Sequence, residues 1–509
     1  VVNESGNYHG NGAADLNFII PELVRGLRVL EGPFDPRQGN YAVSGSADYE
    51  LALVKRGLSA GVTAGSFGTL RVLSTFGPQG ESERTYAAAE FYRTDGYGEN
   101  RAAIRGRAMA GYEGSLGDAT SFRIVAAGYA VDYQSAGLLR EEEVEAGRVD
   151  FYGTYDPRQG GQALRFHGGL DIESRVGSTV FGVQGYSAHK TSRQRENLTG
   201  FLHDPQLARQ EPHRQRGDML DLTFSGTTMA LRGFARHAFT VVDLEQVAET
   251  GLFARGDLTE NLQQRIGAGG EVPYRTGVDQ DANLGDFGMY LDLAARLANF
   301  LVIRGGVRAD VFTYLVNDRC AVKDVSQPRT PTGDASCLSF QRFGAHREPN
   351  QTSSTAALRA MPRVTAIVGP FAGVSYSLSY GQGVRSIDPS YITQDVETPF
   401  ASVDSGDLGV SYARSFEKLS LIAAASFFVT HVDRDLAFNQ AEGRSTLAEG
   451  TTRVGGSVSA RVRGDFFDGT ANVALVNARF DDTGLGVPSI SDSMLRDEQR
   501  RCQEDGGVA

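Results

Sequence analysis

The chain of 509 residues reads as an all-β protein, an antiparallel barrel crossing a membrane, on three observations. Apolar residues recur at every second position in run after run. No apolar stretch reaches the roughly 18 residues that a membrane helix needs. The connections between runs come in two sizes, short and long. The alternation is plainest from Leu301 to Val316. Leu301, Ile303, Gly305, Val307, Ala309 and Val311 fall on one side of an extended chain, and Val302, Arg304, Gly306, Arg308 and Asp310 on the other. A soluble sandwich gives the same period with its apolar face turned inward. A membrane barrel turns that face to lipid and its charges to the lumen.

Length and composition fit the barrel. A single soluble core stops growing near roughly 250 to 300 residues, so this length calls for several domains or for an architecture with no single core. The net charge of −12 excludes nucleic acid as an expected partner, because phosphate binding needs surplus Lys and Arg. No phosphate loop, dinucleotide fingerprint or zinc-protease helix is present; neither cofactor nor resident metal is expected, and no catalytic residue is assigned. Of three cysteines, Cys320 and Cys337 flank a polar segment and could close a loop in an oxidising compartment, with two idle thiols as the alternative. The absence of Trp is unusual for a membrane barrel, whose interfacial girdles then fall to 19 Tyr and 28 Phe.

Residues 1–57 differ from the rest. They carry an apolar patch at Phe18, Ile19 and Ile20, a short helical candidate at Pro21 to Arg25 and a strand at Gly26 to Leu30. Gly32-Pro33 then forces a turn, and Gly39 and Gly45 suit close packing or positive φ. Gly10-Asn11-Gly12 beside His9 reads as a turn. From Leu58 onward strand follows strand, as at Ile104–Tyr112, Leu164–Glu173, Phe287–Leu297 and Ser457–Arg463. Short connections, such as Glu113–Asp118 and Asp465–Gly469, alternate with long ones, Ala188–Gly217 and Asn317–Ser354. Short periplasmic turns and long external loops are the mark of outer-membrane barrels. The run Glu141-Glu142-Glu143 reads as a solvated loop.

Several stretches resemble TonB-dependent outer-membrane receptors. LVRGLRVLEGPFDPRQGNYAVSGSADYEL resembles the end of that family's plug domain, with Leu30, Gly32, Pro33, Gly39 and Gly45 on its pattern. Thr94–Gly106 resembles the second external loop, and Asp132–Gly161 another loop. Pro362–Ile392 resembles a strand pair ending in an aromatic-Gly-x-Gly-aromatic-Arg element, with Val384 in place of the second aromatic. Asp407–Leu436 resembles a pair closing in a Val-Asp-Arg-Asp-Leu turn. The resemblance implies the C-terminal part of a plug at 1–57, a barrel at 58–488 and an irregular tail at 489–509. About seventeen or eighteen strands are expected where the family has about twenty-two, so an incomplete barrel is expected, without the N-terminal half of the plug.

Function follows from the resemblance as an expectation: energised uptake of a scarce ligand, such as a ferric siderophore, cobalamin or an oligosaccharide, with no bond made or broken. Expected partners are a TonB-type inner-membrane protein, outer-membrane lipid and a small molecule or metal chelate, the receptor itself being a monomer in a bacterial outer membrane. A passive porin-like channel is the alternative, with a secreted β-rich adhesin behind it. Arg165, Glu173, Arg304, Arg308 and Asp310 are candidate lumen charges, pairing with polar groups of the plug because unpaired buried charge is costly. His189, Arg193, Arg195, His203 and His213 are candidate ligand contacts in one long external loop, since Arg forks suit anionic oxygens.

Overall fold

The structure is a computed structural model that describes residues 2–8, 10–198, 219–266, 273–322, 347–348, 351–394, 398–417, 419–439 and 444–481. Within residues 2–53 lie β1 (Asn3–Glu4), β2 (Ala13–Ala14), a 3-10 turn at Pro21–Leu23, β3 (Val24–Glu31) and β4 (Gly45–Leu51). The wall follows: β5 (Gly57–Gly65), β6 (Thr69–Gly77), β7 (Tyr86–Thr94), β8 (Ala103–Leu116), β9 (Thr120–Gln134), β10 (Gly160–Val176), β11 (Thr179–Glu196), β12 (Met219–Val241), β13 (Leu244–Ile266), β14 (Pro273–Ala298) and β15 (Leu301–Asp318). A small pair, β16 (Ala321–Val322) and β17 (Arg347–Glu348), stands apart. The wall resumes with β18 (Gln351–Phe371), β19 (Val374–Ser386), β20 (Phe400–Phe416), β21 (Leu419–Asn439), β22 (Arg444–Gly464) and β23 (Asp468–Phe480).

Among the described residues, seventeen strands, β5–β15 and β18–β23, form one closed barrel in which chain neighbours pair. Each successive pair is antiparallel, as in β14 with β15, where Val307 faces Leu291 and Arg308 faces Tyr290. An odd count has a geometric consequence. In an up-and-down wall the first and last strands run the same way, so the closing contact between β5 and β23 cannot continue the antiparallel ladder. No residue-by-residue register joins these two strands among the described residues, and β23 is exposed along its whole length.

The alternation expected from the sequence sets the two faces. On β15, Val307, Val311 and Leu315 are exposed outward while Arg308, Asp310, Phe312, Tyr314 and Val316 are buried inward. The inward face changes from charged to apolar toward the end of the strand, a switch that period two alone does not announce. Turns at 117–119, 177–178, 242–243, 299–300 and 372–373 gather at one end, and the connections 135–159, 197–218 and 319–350 at the other. Phe rings circle the short-turn end: Phe181, Phe300, Phe371, Phe416 and Phe467 are each about half exposed, and Phe300 lies 5.9 Å from Phe371.

Several expectations need correction. β11 runs to Glu196, so His189, Arg193 and Arg195 stand on a strand rather than in a loop. Polar residues there extend the ladder beyond the apolar band, and a hydrophilic strand reads like a loop. The Val432-Asp433-Arg434-Asp435-Leu436 run continues inside β21 instead of turning. Glu141–Glu145 forms one turn of α-helix within the 135–159 connection. Helix at Pro21 stops at Leu23, because β3 starts at Val24. His203, His213, Cys337 and the tail 489–509 lie outside the described residues.

Candidate functional site: a segment clasped inside the barrel

Residues 3–43 touch inward faces all round the arc from β6 to β20, which places this segment within the barrel. Four groups of charges hold it. Glu4 accepts from Arg165 of β10 and, at 3.1 Å, from Lys190 of β11, which also lies 3.0 Å from Asp15. Glu4, Arg165 and Lys190 are buried, and Asp15 is half-buried. The Phe18 ring sits 5.1 Å under the Arg165 guanidinium and stacks on His167 at 5.5 Å. Burial would raise the Asp15 carboxyl, but the Lys190 charge and the Tyr129 hydroxyl outweigh it and hold Asp15 below the usual carboxylate range.

The second group centres on β6–β8. Arg71 grips Glu22 with a two-pronged contact of 2.7 and 2.8 Å and reaches Glu90 at 2.7 Å. Glu90 also takes Arg105 and Arg107, and Arg107 donates 2.6 Å to the Ile19 carbonyl. Such fork contacts fix orientation as well as charge.

The third group joins the glycine-proline stretch to β14, β15 and β18. Asp35 accepts from Arg37 at 2.9 Å and lies 3.1 Å from Arg304, which in turn holds Asp292 at 2.9 Å. Burial works to raise Asp35, yet the hydrogen bond and charge of Arg37 and the charge of Arg304 bring it down to about 2. Arg363 donates to the carbonyls of Asp35 and, at 2.8 Å, Gln38. In the fourth group Ser5 donates 3.2 Å to Asp257, which Arg255 grips at 2.8 and 2.9 Å while donating 2.7 Å to the Asn3 carbonyl.

Close backbone contact accompanies the charges. Gly32 turns at φ 69°, and Pro33 then packs on two glycines of β19. A methyl at Gly381 would stand 2.5 Å from the Pro33 carbonyl oxygen, and one at Gly383 would stand 3.1 Å from Pro33 Cβ. The Gly-x-Gly element and the Gly-Pro turn, far apart in sequence, are therefore two halves of one contact. Gly39 lies against the Arg308 guanidinium. At φ 133°, Gly45 has no room for a side chain, since a methyl would stand 2.0 Å from the Leu30 carbonyl oxygen.

The apex of the segment faces the long-loop end. Asn11 donates 2.7 and 2.9 Å to the carbonyls of Ser386 and Ile387, and Ser386 N–H donates 2.9 Å to Asn40. Tyr41 pairs with Ser5 at 2.9 Å, and burial pushes its hydroxyl up. Tyr8 donates 3.2 Å to Ser192, with its own hydroxyl raised by burial. Around the apex the wall is apolar: Val43 packs with Leu284, Tyr314, Val316, Ile387 and Val403. The apolar upper half of β15 serves this contact.

Arg165, Arg304, Arg308 and Asp310 thus meet in contacts to, or beside, the inner segment. Glu173 shares the Arg165 face of β10, half-buried near the short-turn end. The proposed external contacts point elsewhere. Arg193 and Arg195 bind Asp221 of β12 at 2.8 and 3.1 Å, and His189 meets Thr227 at 2.9 Å on the outer face. Cys320 is disulfide-bonded. Sequence reading missed Glu4, Glu90, Arg107 and Arg363, although inward parity with Arg105, Arg165 and Arg304 could have found the arginines. Nothing beyond a Gly-Asn-Gly turn marks Asn11.

An antiparallel barrel with an apolar outer face, unequal loops and a charge-clasped inner segment has the fold of the TonB-dependent outer-membrane receptors. Among solved structures, the ferric citrate transporter FecA superposes with a TM-score of 0.68 at 13% identity, covering 94% of this chain and 68% of its own. The siderophore receptor PiuA from Acinetobacter baumannii gives 0.69 at 13%, over 94% and 72%. The copper transporter OprC gives 0.65 at 14%, over 92% and 69%. No family model and no curated protein matches the sequence.

Proposed function

We propose that the chain is an outer-membrane receptor that takes up a scarce small molecule, a ferric chelate before cobalamin or an oligosaccharide, and that a TonB-type inner-membrane protein supplies the energy. The observation that carries this is the clasp: four ionic groups and the Pro33 contact hold an inner segment across the lumen. A passive pore gains nothing from an obstruction so held, whereas an energised importer needs a closed state that force can release. In this proposal residues 1–57 act as the end of a plug and 58–488 as the barrel wall. Binding at the apex would shift the segment only through contacts that differ between seated and unseated states, and Asn11, Asn40 and Tyr41 are placed to make them. Cys337 is the mate proposed for Cys320. The neighbours named for ferric citrate, a siderophore and copper favour a metal chelate as ligand.

Growth on a limiting ferric chelate tests the proposal in cells with the gene, without it, and with the gene but inactive TonB. Growth should need both gene and TonB. Uptake that persists without TonB would mean passive flux.

A further inference from the structure

We infer that Asp286 of β14 and Asp310 of β15 share one proton, forming a proton-binding site in the wall directly behind the inner segment. Both carboxyls are more than nine-tenths buried, Asp286 at 5% exposure and Asp310 at 0%. Neither oxygen of Asp286 has a hydrogen-bond partner, and Asp310 Oδ1 also lacks one. Register brings them together. Asp310 faces Gly288, the next inward position along β14 from Asp286. Its Oδ1 leans so far over that residue that a methyl on Gly288 would stand 1.8 Å from it.

None of the surrounding cations donates to Asp286. Arg308 directs its Nε 2.7 Å to Asp310 Oδ2. Arg255 stands directly across from Asp286 on β13, yet its Nε and Nη2 go to Asp257 and the Asn3 carbonyl. From the other neighbouring elements, Tyr186 of β11, Tyr41 of the inner segment and Arg363 of β18 face the cluster. Tyr186 brings a buried hydroxyl without a partner, and Arg363 is spent on carbonyls. Arg255, Arg308 and Arg363 match Asp257, Asp286 and Asp310 in number, but none of them donates to Asp286. Two buried carboxyls at adjoining inward positions, one of them without any donor, do not both ionise; the pair keeps one proton. The proton enters from water and leaves to water, with no bond changed in the protein besides O–H.

The site lies where the segment seats. Asn3 is held by Arg255, and Gly39 lies on Arg308. Loss of the proton puts two like charges together and draws Arg308 and Arg255 off these contacts. Seating therefore weakens as pH rises.

The full chain in lipid bilayers offers two readouts. In infrared difference spectra at neutral pH, wild type should show a protonated-carboxyl C=O band that Asp286→Asn removes. Asp310→Asn should remove it too, because Arg308 is then free to pair with an ionised Asp286. Hydrogen exchange at residues 3–6 and 38–41, corrected for intrinsic rate, should speed up roughly tenfold between about pH 6 and about pH 9 in wild type, and stay flat in Asp286→Asn. No band lost in either variant, equal pH dependence in wild type and Asp286→Asn, or exchange that follows sodium at fixed pH would each overturn the proposal. The last of these would mean that a metal cation sits in the proton's place. Both readouts are independent of transport, so failure here leaves the import proposal standing.

Discussion

The wall of β13–β15 and the wall of β22–β23 are built on the same hydrogen-bonded ladder, yet their inward faces have little in common. β13–β15 turn Arg255, Asp257, Asp292, Arg304 and Arg308 inward, all in contact with the inner segment or with one another. β22–β23 turn the small, uncharged Ser457, Ser459, Asn472 and Ala474 inward at mid-height, and the charges on that face, Arg453, Arg461, Arg463 and Asp468, pair with the wall: Arg453 with Asp435 of β21, and Arg461 and Arg463 with Asp468. No hydrogen bond or ion pair ties either strand to the inner segment among the described residues. The segment is thus fastened to one arc and merely faces the other. Along the unfastened arc it can part from the wall without separating a charge pair, and a path would open there at the least electrostatic cost.

The largest test of this contrast removes a clasp. Arg165→Ala leaves Glu4 and Asp15 to share the single charge of Lys190, one buried carboxylate in excess, and unfolding of the inner segment should become easier by about 3 kcal/mol. Chemical denaturation monitored at residues 2–20 by hydrogen exchange measures it. A value below about 1 kcal/mol, as for an exposed pair, would mean the clasp is not what seats the segment.

Next comes the outer face. Val307→Arg places a charge near mid-depth on the lipid side and should cost about 2 to 4 kcal/mol in a bilayer. Leu475→Arg on β23, beside the seam, should cost less, since the side chain can reach water through the less covered wall. Equal costs would erase the distinction between the two arcs.

A change of pH should act on the fastened arc through Asp35. Asp35 is held at about 2, below the ordinary carboxylate value of about 3.9. Its contribution is therefore complete above about pH 4 and fades as pH falls through about 2. Exchange at residues 35–40 should accelerate over that interval, and the same measurement on Arg304→Gln should find the transition at higher pH.

The smallest effect belongs to the plain arc. Ser426 and Ser457 share a 2.9 Å hydrogen bond between β21 and β22. Ser457→Ala should cost about 1 kcal/mol, leaving uptake of a ferric chelate unchanged. A loss of uptake would assign this arc a ligand contact.

Much of this was legible in the sequence. The outward Val307 and Val311 and the inward Arg304 and Arg308 follow from period two, and the barrel from period two repeated with unequal connections. Residue-level partners were not. Arg165 could be read as inward, but Glu4, 161 positions away, has no sequence mark that names it as the acceptor. His189, Arg193 and Arg195 misled because a strand rising past the apolar band loses the alternation by which strands are recognised. Phe312, Tyr314 and Val316 were inward by parity and apolar by demand of the apex, which only the folded chain displays. The two glycines of the Tyr380-Gly381-Gln382-Gly383 element were visible as a motif, but their purpose lay in Pro33.

The ring of Phe side chains at the short-turn end sets how the barrel floats. Trp and Tyr carry an N–H or O–H that bonds to headgroups and pins an interface at one height. Phe181, Phe300, Phe371, Phe416 and Phe467 have no such handle. With Tyr112 and Tyr376 as half-exposed hydroxyls near that rim, the barrel is positioned there mostly by hydrophobic matching, so a thicker or thinner bilayer should shift its depth and tilt more readily than at a rim ringed by Trp and Tyr.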